Sequence, residues 1–412
     1  MCLAFPGKII SIRERTAVAD FSGIQKEVNV SLINAKIGDY VLVHAGFAIQ
    51  KIGKEDALEI FKLTRTQKEI VKKIDELAKE IGRGVNIMEV CGTHTQVVSR
   101  YGIKESLPEN IKLTTGPGCP VCVTDQEDID AIVSLALTGI PVATYGDVLR
   151  VPGYFGSLDN AREKGAKIFS VYSVEETLEL QKKYPDLVFF GLGFETTAPM
   201  TASAIQKGLT VFSSHKLFIP AMKALLKIGE LKIDGFISPG HVSTVIGLKP
   251  YKNMKVSQVV TGFEPDDILL AVYMLLKQIK EGRKEAENEY VRSVKKEGNP
   301  KAYKSIFEVF DVVDGNWRGF GVIPKSGLKI KNKYKKMDAR TKYKDILSKV
   351  DFSHSRKPTG CRCGEVIRGL ITSKRCPLFK KMCTPENPYG PCMVSTEGAC
   401  NVEYKYLPKT RL

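Results

Sequence analysis

Val85-Asn86-Ile87-Met88-Glu89-Val90-Cys91-Gly92-Thr93-His94-Thr95-Gln96-Val97-Val98 reads as a short buried strand that turns straight into a helix. Cys91 falls on the corner between the two. Free backbone N–H groups and the helix dipole favour an anion at such a corner. A thiolate is such an anion, so the placement predicts a lowered thiol pKa. A buried structural cysteine is the plain alternative for Cys91 taken alone. A second corner follows in Gly116-Pro117-Gly118-Cys119-Pro120-Val121-Cys122, and three cysteines with His94 at two corners point to sulfur chemistry. Cys119-Pro120-Val121-Cys122 is a C-x-x-C pair in a tight Gly-Pro turn, suited to disulfide exchange or to two ligands of a soft metal. It also reads as half of a zinc site, but no second C-x-x-C follows at finger spacing.

The alternation of strand and helix continues downstream. Strands are expected at 85–90, 111–115, 141–145, 167–171, 187–191, 210–213, 235–238 and 258–261, with helical patterns between them. Thr124-x-x-Glu127 and Ser173-x-x-Glu176 read as capping boxes opening two of the helices. This is the signature of α/β domains with largely parallel sheets. The stretch is expected to form two lobes, residues 64–154 and 155–340, with later segments free to cross back onto the first. Functional groups in such folds gather at the carboxyl ends of strands. Those ends carry Cys91, Cys119 and Cys122, Thr144-Tyr145-Gly146-Asp147, Gly193-Phe194-Glu195-Thr196-Thr197 and Ser238-Pro239-Gly240-His241. Each Gly-rich corner reads equally well as an ordinary turn. There is no Walker-type phosphate loop and no GxGxxG after the first strand.

Upstream, residues 1–63 look all-β before a helix. Strands at 8–12, 16–21, 25–30 and 40–43 are punctuated by Ser22-Gly23 and Gly38-Asp39. A five-stranded barrel of the OB kind is the economical closure for so small a set. Cys2 stands at its start, on the mature terminus once Met1 is removed, and His44 follows the last clear strand. Residues 54–82 form a polar helix with Ile70, Ile74, Leu77 and Ile81 on one face and Gly82 as its C-cap.

A chain of 412 residues suggests about two to four domains. Hydrophobic content of 43% and charge of 26% exclude wholesale disorder. The net charge of +16 is densest over the Lys-rich block 325–349, which reads as a solvated face and argues against nucleic acid. Docking to an acidic protein partner fits the same charge. The N-terminus lacks a basic region followed by an apolar run, and no segment approaches a membrane span. A cytoplasmic protein is expected, so its ten cysteines read as metal ligands or redox thiols.

Residues 341–412 change character. Six of the ten cysteines lie between Cys361 and Cys400, among Pro, Gly and basic residues with little periodicity. Such a segment is expected to need a metal as its core. Cys361-x-Cys363, Cys376, Cys383, Cys392 and Cys400 exceed what a structural zinc needs, and their uneven spacing is unlike a zinc ribbon. An iron–sulfur cluster fits this spacing better, with zinc the alternative.

These motifs carry a family resemblance. Met1-Cys2-Leu3-Ala4-Phe5-Pro6-Gly7-Lys8-Ile9, with Val43-His44-Ala45-Gly46-Phe47-Ala48, resembles HypC, the small chaperone of NiFe-hydrogenase maturation. The remainder resembles HypD, its scaffold partner, through Cys91-Gly92-Thr93-His94, Gly116 to Cys122, Gly193-Phe194-Glu195-Thr196-Thr197-Ala198-Pro199 and the Cys-rich tail. The two are normally separate proteins; here they run in one chain, the HypC-like part shortened where its last helix merges near Thr64.

The resemblance implies a scaffold on which an Fe(CN)2(CO) group is assembled for the hydrogenase active site. Cys2 and Cys91 would bridge its iron, with His94 and His44 as outer groups and Glu195 and Asp147 as acid/base or hydrogen-bonding groups near the cyanides. The family's Cys-x12-Cys-x6-Cys-x16-Cys pattern falls on Cys363, Cys376, Cys383 and Cys400, which would hold a 4Fe-4S cluster. The cluster would feed electrons to Cys119 and Cys122, which alternatively bind iron themselves. The implied partners are a HypE-type cyanide donor with its HypF-type partner, and the hydrogenase large-subunit precursor.

Overall fold

Alternating apolar side chains close the N-terminal unit into a barrel. In this computed structural model, which describes residues 5–21, 25–44, 46–354 and 360–406, the barrel holds β1 (Phe5–Arg13), β2 (Thr16–Asp20), β3 (Gln25–Asn29), β4 (Tyr40–His44) and β5 (Phe47–Ile52). The strands follow the order β1-β2-β3-β5-β4, and β4 pairs back onto β1. Ile9, Ala17, Ala19, Val28, Val41 and Ala48 are among the residues filling its interior. The sequence located four of the five strands it called for. β5 is the strand that spans the remaining gap, pairing antiparallel with β4 and parallel with β3 at Asn29–Phe47. α1 (Lys54–Ile81) follows and ends at Gly82, whose φ of +64° suits a C-cap. The first compact unit runs to Glu76 and the second begins at Leu77, so the division falls inside this helix.

The second unit is α/β with two parallel sheets. β6 (Val85–Glu89), β7 (Ile111–Thr115), β8 (Val142–Tyr145), β9 (Ile168–Val171), β10 (Val188–Gly193), β11 (Thr210–His215), β12 (Gly235–Pro239) and β13 (Ser257–Thr261) lie where the sequence placed strands. With β14 (Ala286–Asn288) they form one sheet ordered β14-β13-β12-β6-β7 and another ordered β11-β10-β8-β9. The crossing back allowed by the sequence is what completes the first sheet, since β12 returns to pair with β6. β8 belongs with β9–β11, so the sheets do not divide the chain at one point. All described pairings in both sheets are parallel, which sends every strand's carboxyl end to the same edge of its sheet.

An antiparallel hairpin, β15 (Phe310–Trp317) and β16 (Gly321–Ile330), follows the parallel strands. Its buried Trp317 stacks on Phe194 at a centroid distance of 5.9 Å. Of the two expected capping boxes, Ser173 accepts from the Glu176 N–H as expected. Thr124 does not cap: Asp125 takes the N-cap position, and the Thr124 hydroxyl turns back to Pro120 O. The Cys-rich segment is a set of short helical turns rather than a body with its own core. Val366, Ile367, Phe379, Met393 and five of its six cysteines are buried in the same cluster as Met88, Val121 and Phe190, with Cys361 half-buried against it. The expectation that a metal alone must supply its core is corrected here: the α/β body supplies apolar partners, and buried thiols pack as small hydrophobes. No helix among the described residues is long and apolar enough to cross a membrane.

Candidate functional site

β6 delivers Cys91 to the N-cap of α2 (Gly92–Arg100), with φ −145° and ψ 128°. The Thr93 and His94 N–H groups are directed at its sulfur, as the corner predicts. The predicted lowering of its pKa is not what results. Burial pushes the thiol up to about 12, and the Glu397 and Glu89 carboxyls add to the rise. Two helical N–H groups do not offset the loss of water around a thiol that is 7% exposed.

Close backbone contact builds the corner. A Cβ on Gly118 would collide with the backbone of Cys91, and one on Gly92 would collide with Glu397. Glycine at both places lets the Gly116–Cys122 turn and the Glu397 segment close on Cys91 from two sides. Beneath it, Glu89 accepts from Cys91 N at 3.2 Å and Thr95 Oγ1 at 2.6 Å. Burial nevertheless raises the Glu89 carboxyl to about 7.

His94 is fully buried, and its Nε2 lies 2.9 Å from Gly262 O. A carbonyl only accepts, so the ring proton sits on Nε2, and Nδ1 is an acceptor without a partner among the described residues. Burial lowers its pKa to about 4, leaving the ring neutral at pH 7. Phe263 packs between it and His241, which stacks on Phe263 at 3.8 Å.

A cavity of about 180 Å3 opens at this corner, lined by residues including Cys91, Thr93, Gly118, Phe194, His241 and Glu397. Glu195 does not line it. Phe194 and Thr196 do, while the Glu195 carboxylate turns into the core and accepts the Phe218 N–H at 3.1 and 3.2 Å. Burial raises Glu195 to about 7. Asp147 is raised by burial and then by Glu397, so it stands near the cavity's acidic wall. His241 and Glu397 were not chosen from the sequence as site residues. The sequence placed His241 at a strand end without giving it a role, whereas Glu397 arrives from the far end of the chain.

Cys119 and Cys122 form a disulfide on the short helix Pro120–Val123, where Cys119 Sγ also accepts the Cys122 N–H. In this state neither offers a thiolate to iron. Arg318, from the turn between β15 and β16, clamps the end of that helix. Its N–H donates to Val123 O, Nε to Thr124 O at 2.9 Å and Nη1 to Gln126 Oε1 at 2.6 Å.

The helix Pro120–Val123 packs against the helices that carry Cys363 and Cys392. Cys361, Cys363 and Cys392 are linked by thiol hydrogen bonds in that order. Gly390 is held so close that a Cβ there would stand 2.6 Å from Cys361 Sγ, and Tyr389 N donates to Cys383 Sγ at 3.4 Å. Burial raises Cys383 and Cys400. Cys363, stabilised as an acceptor from Cys361 but disfavoured by its bond to Cys392 and by burial, reaches about 12.

Residues 65–407 match HypD, the hydrogenase formation hypA family, and residues 1–64 match the HupF/HypC family. The chain belongs to the HypD family. It is 44% identical over 354 residues to a Methanocaldococcus jannaschii protein named for hydrogenase expression and formation, covering 82% of this chain and 96% of the relative. It is 41% identical over 349 residues to hydrogenase maturation factor HypD of Cupriavidus necator, covering 79% and 90%. Against HypD2 of Bradyrhizobium diazoefficiens it is 41% identical over 341 residues, covering 77% and 88%. Its N-terminal HupF/HypC segment makes it a HypC–HypD fusion.

For a HypD protein the question is whether the Cys-rich segment suits an iron–sulfur cluster. Among the described residues, no three His, Cys, Asp or Glu side chains are placed to hold a single metal ion. A cluster asks for something else: soft thiolates around several irons, standing farther apart than ligands of one ion. The donor set fits that need: Cys361, Cys363, Cys376, Cys383, Cys392 and Cys400 stand close enough to act on one another, with a backbone N–H donor at Cys383 and the Arg318 charge nearby. Cys2 lies outside the described residues. His44 ends β4, paired with Phe47 of β5.

Proposed function

We propose that this protein is an assembly scaffold of NiFe-hydrogenase maturation, on which an Fe(CN)2(CO) group is built between Cys2 and Cys91 and passed to the hydrogenase large-subunit precursor. The observation that supports this most is the Cys91 cavity, with the Cys119–Cys122 turn pressed against its backbone in a HypD-family chain. Iron carrying cyanide and carbonyl is a soft centre, and thiolates are its natural ligands. To bind it, Cys91 releases a proton that burial otherwise retains. The Thr93 and His94 N–H groups then stabilise the sulfur charge. His94 Nδ1 is free to accept a hydrogen bond in the outer shell, and His44 has the matching role in the N-terminal unit. Glu195 positions Phe218, a cavity residue, rather than meeting the cyanides itself. A HypE-type protein, with its HypF-type partner, would supply cyanide, and the cytoplasm would be the setting.

Cys363, Cys376, Cys383 and Cys400 would hold a 4Fe-4S cluster, which supplies electrons when bound. The thiol order Cys361–Cys363–Cys392 favours testing Cys361 as a competing fourth ligand. Reducing the Cys119–Cys122 disulfide takes two electrons and two protons and frees two thiols beside Cys91. A second reading, a thiol-disulfide oxidoreductase linked to an iron–sulfur cluster, draws on that same disulfide and gives Cys2 no part.

Infrared spectra of protein purified without oxygen and co-produced with its maturation partners separate the two. Cyanide and carbonyl stretching bands are expected in the wild type and absent from Cys2→Ala and Cys91→Ala, with visible cluster absorbance kept in both. Cys383→Ala should lose that absorbance. Full bands in Cys2→Ala would remove Cys2 from the iron, and a brown wild type without bands would favour the oxidoreductase.

A further inference from the structure

A second cavity, of about 330 Å3, opens between β7 and the Cys-rich segment and shares no lining residue with the Cys91 cavity. Lys104, Lys112 and Arg375 line it, and none of them is in an ion pair among the described residues. Lys104 also acts on the nearby Glu89 carboxyl, but three cations against the single carboxyl of the lining still draw an anion. Ser373, 1% exposed, also lines it. Its hydroxyl has no nitrogen or oxygen partner and is met by the Cys400 thiol. The backbone N–H groups of Ile371, Thr372 and Ser373 donate to no protein acceptor among the described residues. Ser373 is buried, Ile371 half-buried and Thr372 exposed, so these donors stay open to a ligand or to water.

Glu403 supplies the one carboxyl among the lining residues, and its Oε2 is buried without a partner. A carboxylate in a cationic cavity repels a fully deprotonated anion. It accepts instead from an anion that carries its own O–H, which narrows the chemistry of the ligand.

We propose that this cavity binds a phosphate-class oxyanion bearing an O–H group. Lys104, Lys112 and Arg375 take its charge, the Ile371–Ser373 donors take its oxygens, and Glu403 accepts its O–H. Hydrogen phosphate has that group directly. A phosphate monoester has it where its alcohol part carries a further hydroxyl.

Calorimetric titration of the full chain with sodium phosphate, with sulfate in parallel at matched ionic strength, tests the assignment. Saturable one-to-one phosphate binding is expected, about tenfold tighter than sulfate, which has no O–H at neutral pH. The double variant Lys112→Gln, Arg375→Gln should weaken phosphate about tenfold or more while its circular dichroism is unchanged. In Glu403→Gln, phosphate and sulfate should converge, because an amide donates to either. Glycerol phosphate separates the sources: affinity equal to that of phosphate assigns an ester, and exclusion assigns the free ion. Absence of saturable phosphate binding by the wild type, or binding unchanged in the double variant, overturns the site. Equal affinity for sulfate and phosphate in the wild type overturns the O–H requirement.

Discussion

Glu195 is 3% exposed, and its carboxyl accepts from its own backbone N–H and from the Phe218 N–H. Burial raises its carboxyl from 4.5 in the ordinary case to about 7. The folded chain therefore holds this proton more tightly than the unfolded chain does. Its contribution to stability is whole below about pH 4.5, shrinks as pH rises through about 7, and is gone above that. The shift corresponds to about 3 kcal/mol. Glutamine has no such proton, so Glu195→Gln should gain on the wild type by up to about 3 kcal/mol between about pH 5 and about pH 8. Glu89 is shifted the same way in both proteins and cancels. Urea denaturation at the two pH values reads the difference, and a constant gap would show that Glu195 ionises freely. From the sequence, this residue and Cys91 were visible as strand-end groups. Their protonation was not, because it follows from how much water the fold removes, and residue type carries no record of that.

The helix Pro120–Val123 is a single turn, too short to hold itself. Arg318 holds its end through two side-chain hydrogen bonds, to Thr124 O and Gln126 Oε1. Arg318→Met should cost about 2 kcal/mol in denaturation and speed reduction of the Cys119–Cys122 disulfide by dithiothreitol. Lysine should restore little, since it lacks the planar fork. An unchanged reduction rate would mean that the turn is held by its packing alone. The C-x-x-C was plain in the sequence and its clamp was not. β16 buries Leu328 and Ile330, turns Lys325 and Lys329 outward, and breaks its pairing register between Ile323 and Gly327, so its pattern was hidden in a lysine-rich run. The parallel strands were found because buried strands on both faces are continuous apolar runs bounded by turns.

At the scale of the molecule, the chain joins a barrel unit and an α/β unit through one helix. If Cys2 and Cys91 share one iron, the covalent link makes their meeting intramolecular, at an effective concentration on the order of mM. Infrared band intensity per protein should then be unchanged on dilution of the intact chain. After proteolytic cleavage near Thr64 it should fall with dilution, and equal dilution behaviour in the two would show that the link is immaterial. The sequence by itself determined the barrel followed by alternating strands and helices, the two sulfur corners and the six-cysteine tail, because periodicity, turn residues and spacing act between near neighbours in the chain. Only the tertiary structure decided which sheet each strand joins, that Glu397 closes on Cys91 while Glu195 turns away, and that the tail shares the body's core. Those outcomes depend on crossovers that bring residues hundreds of positions apart into contact and exclude water between them.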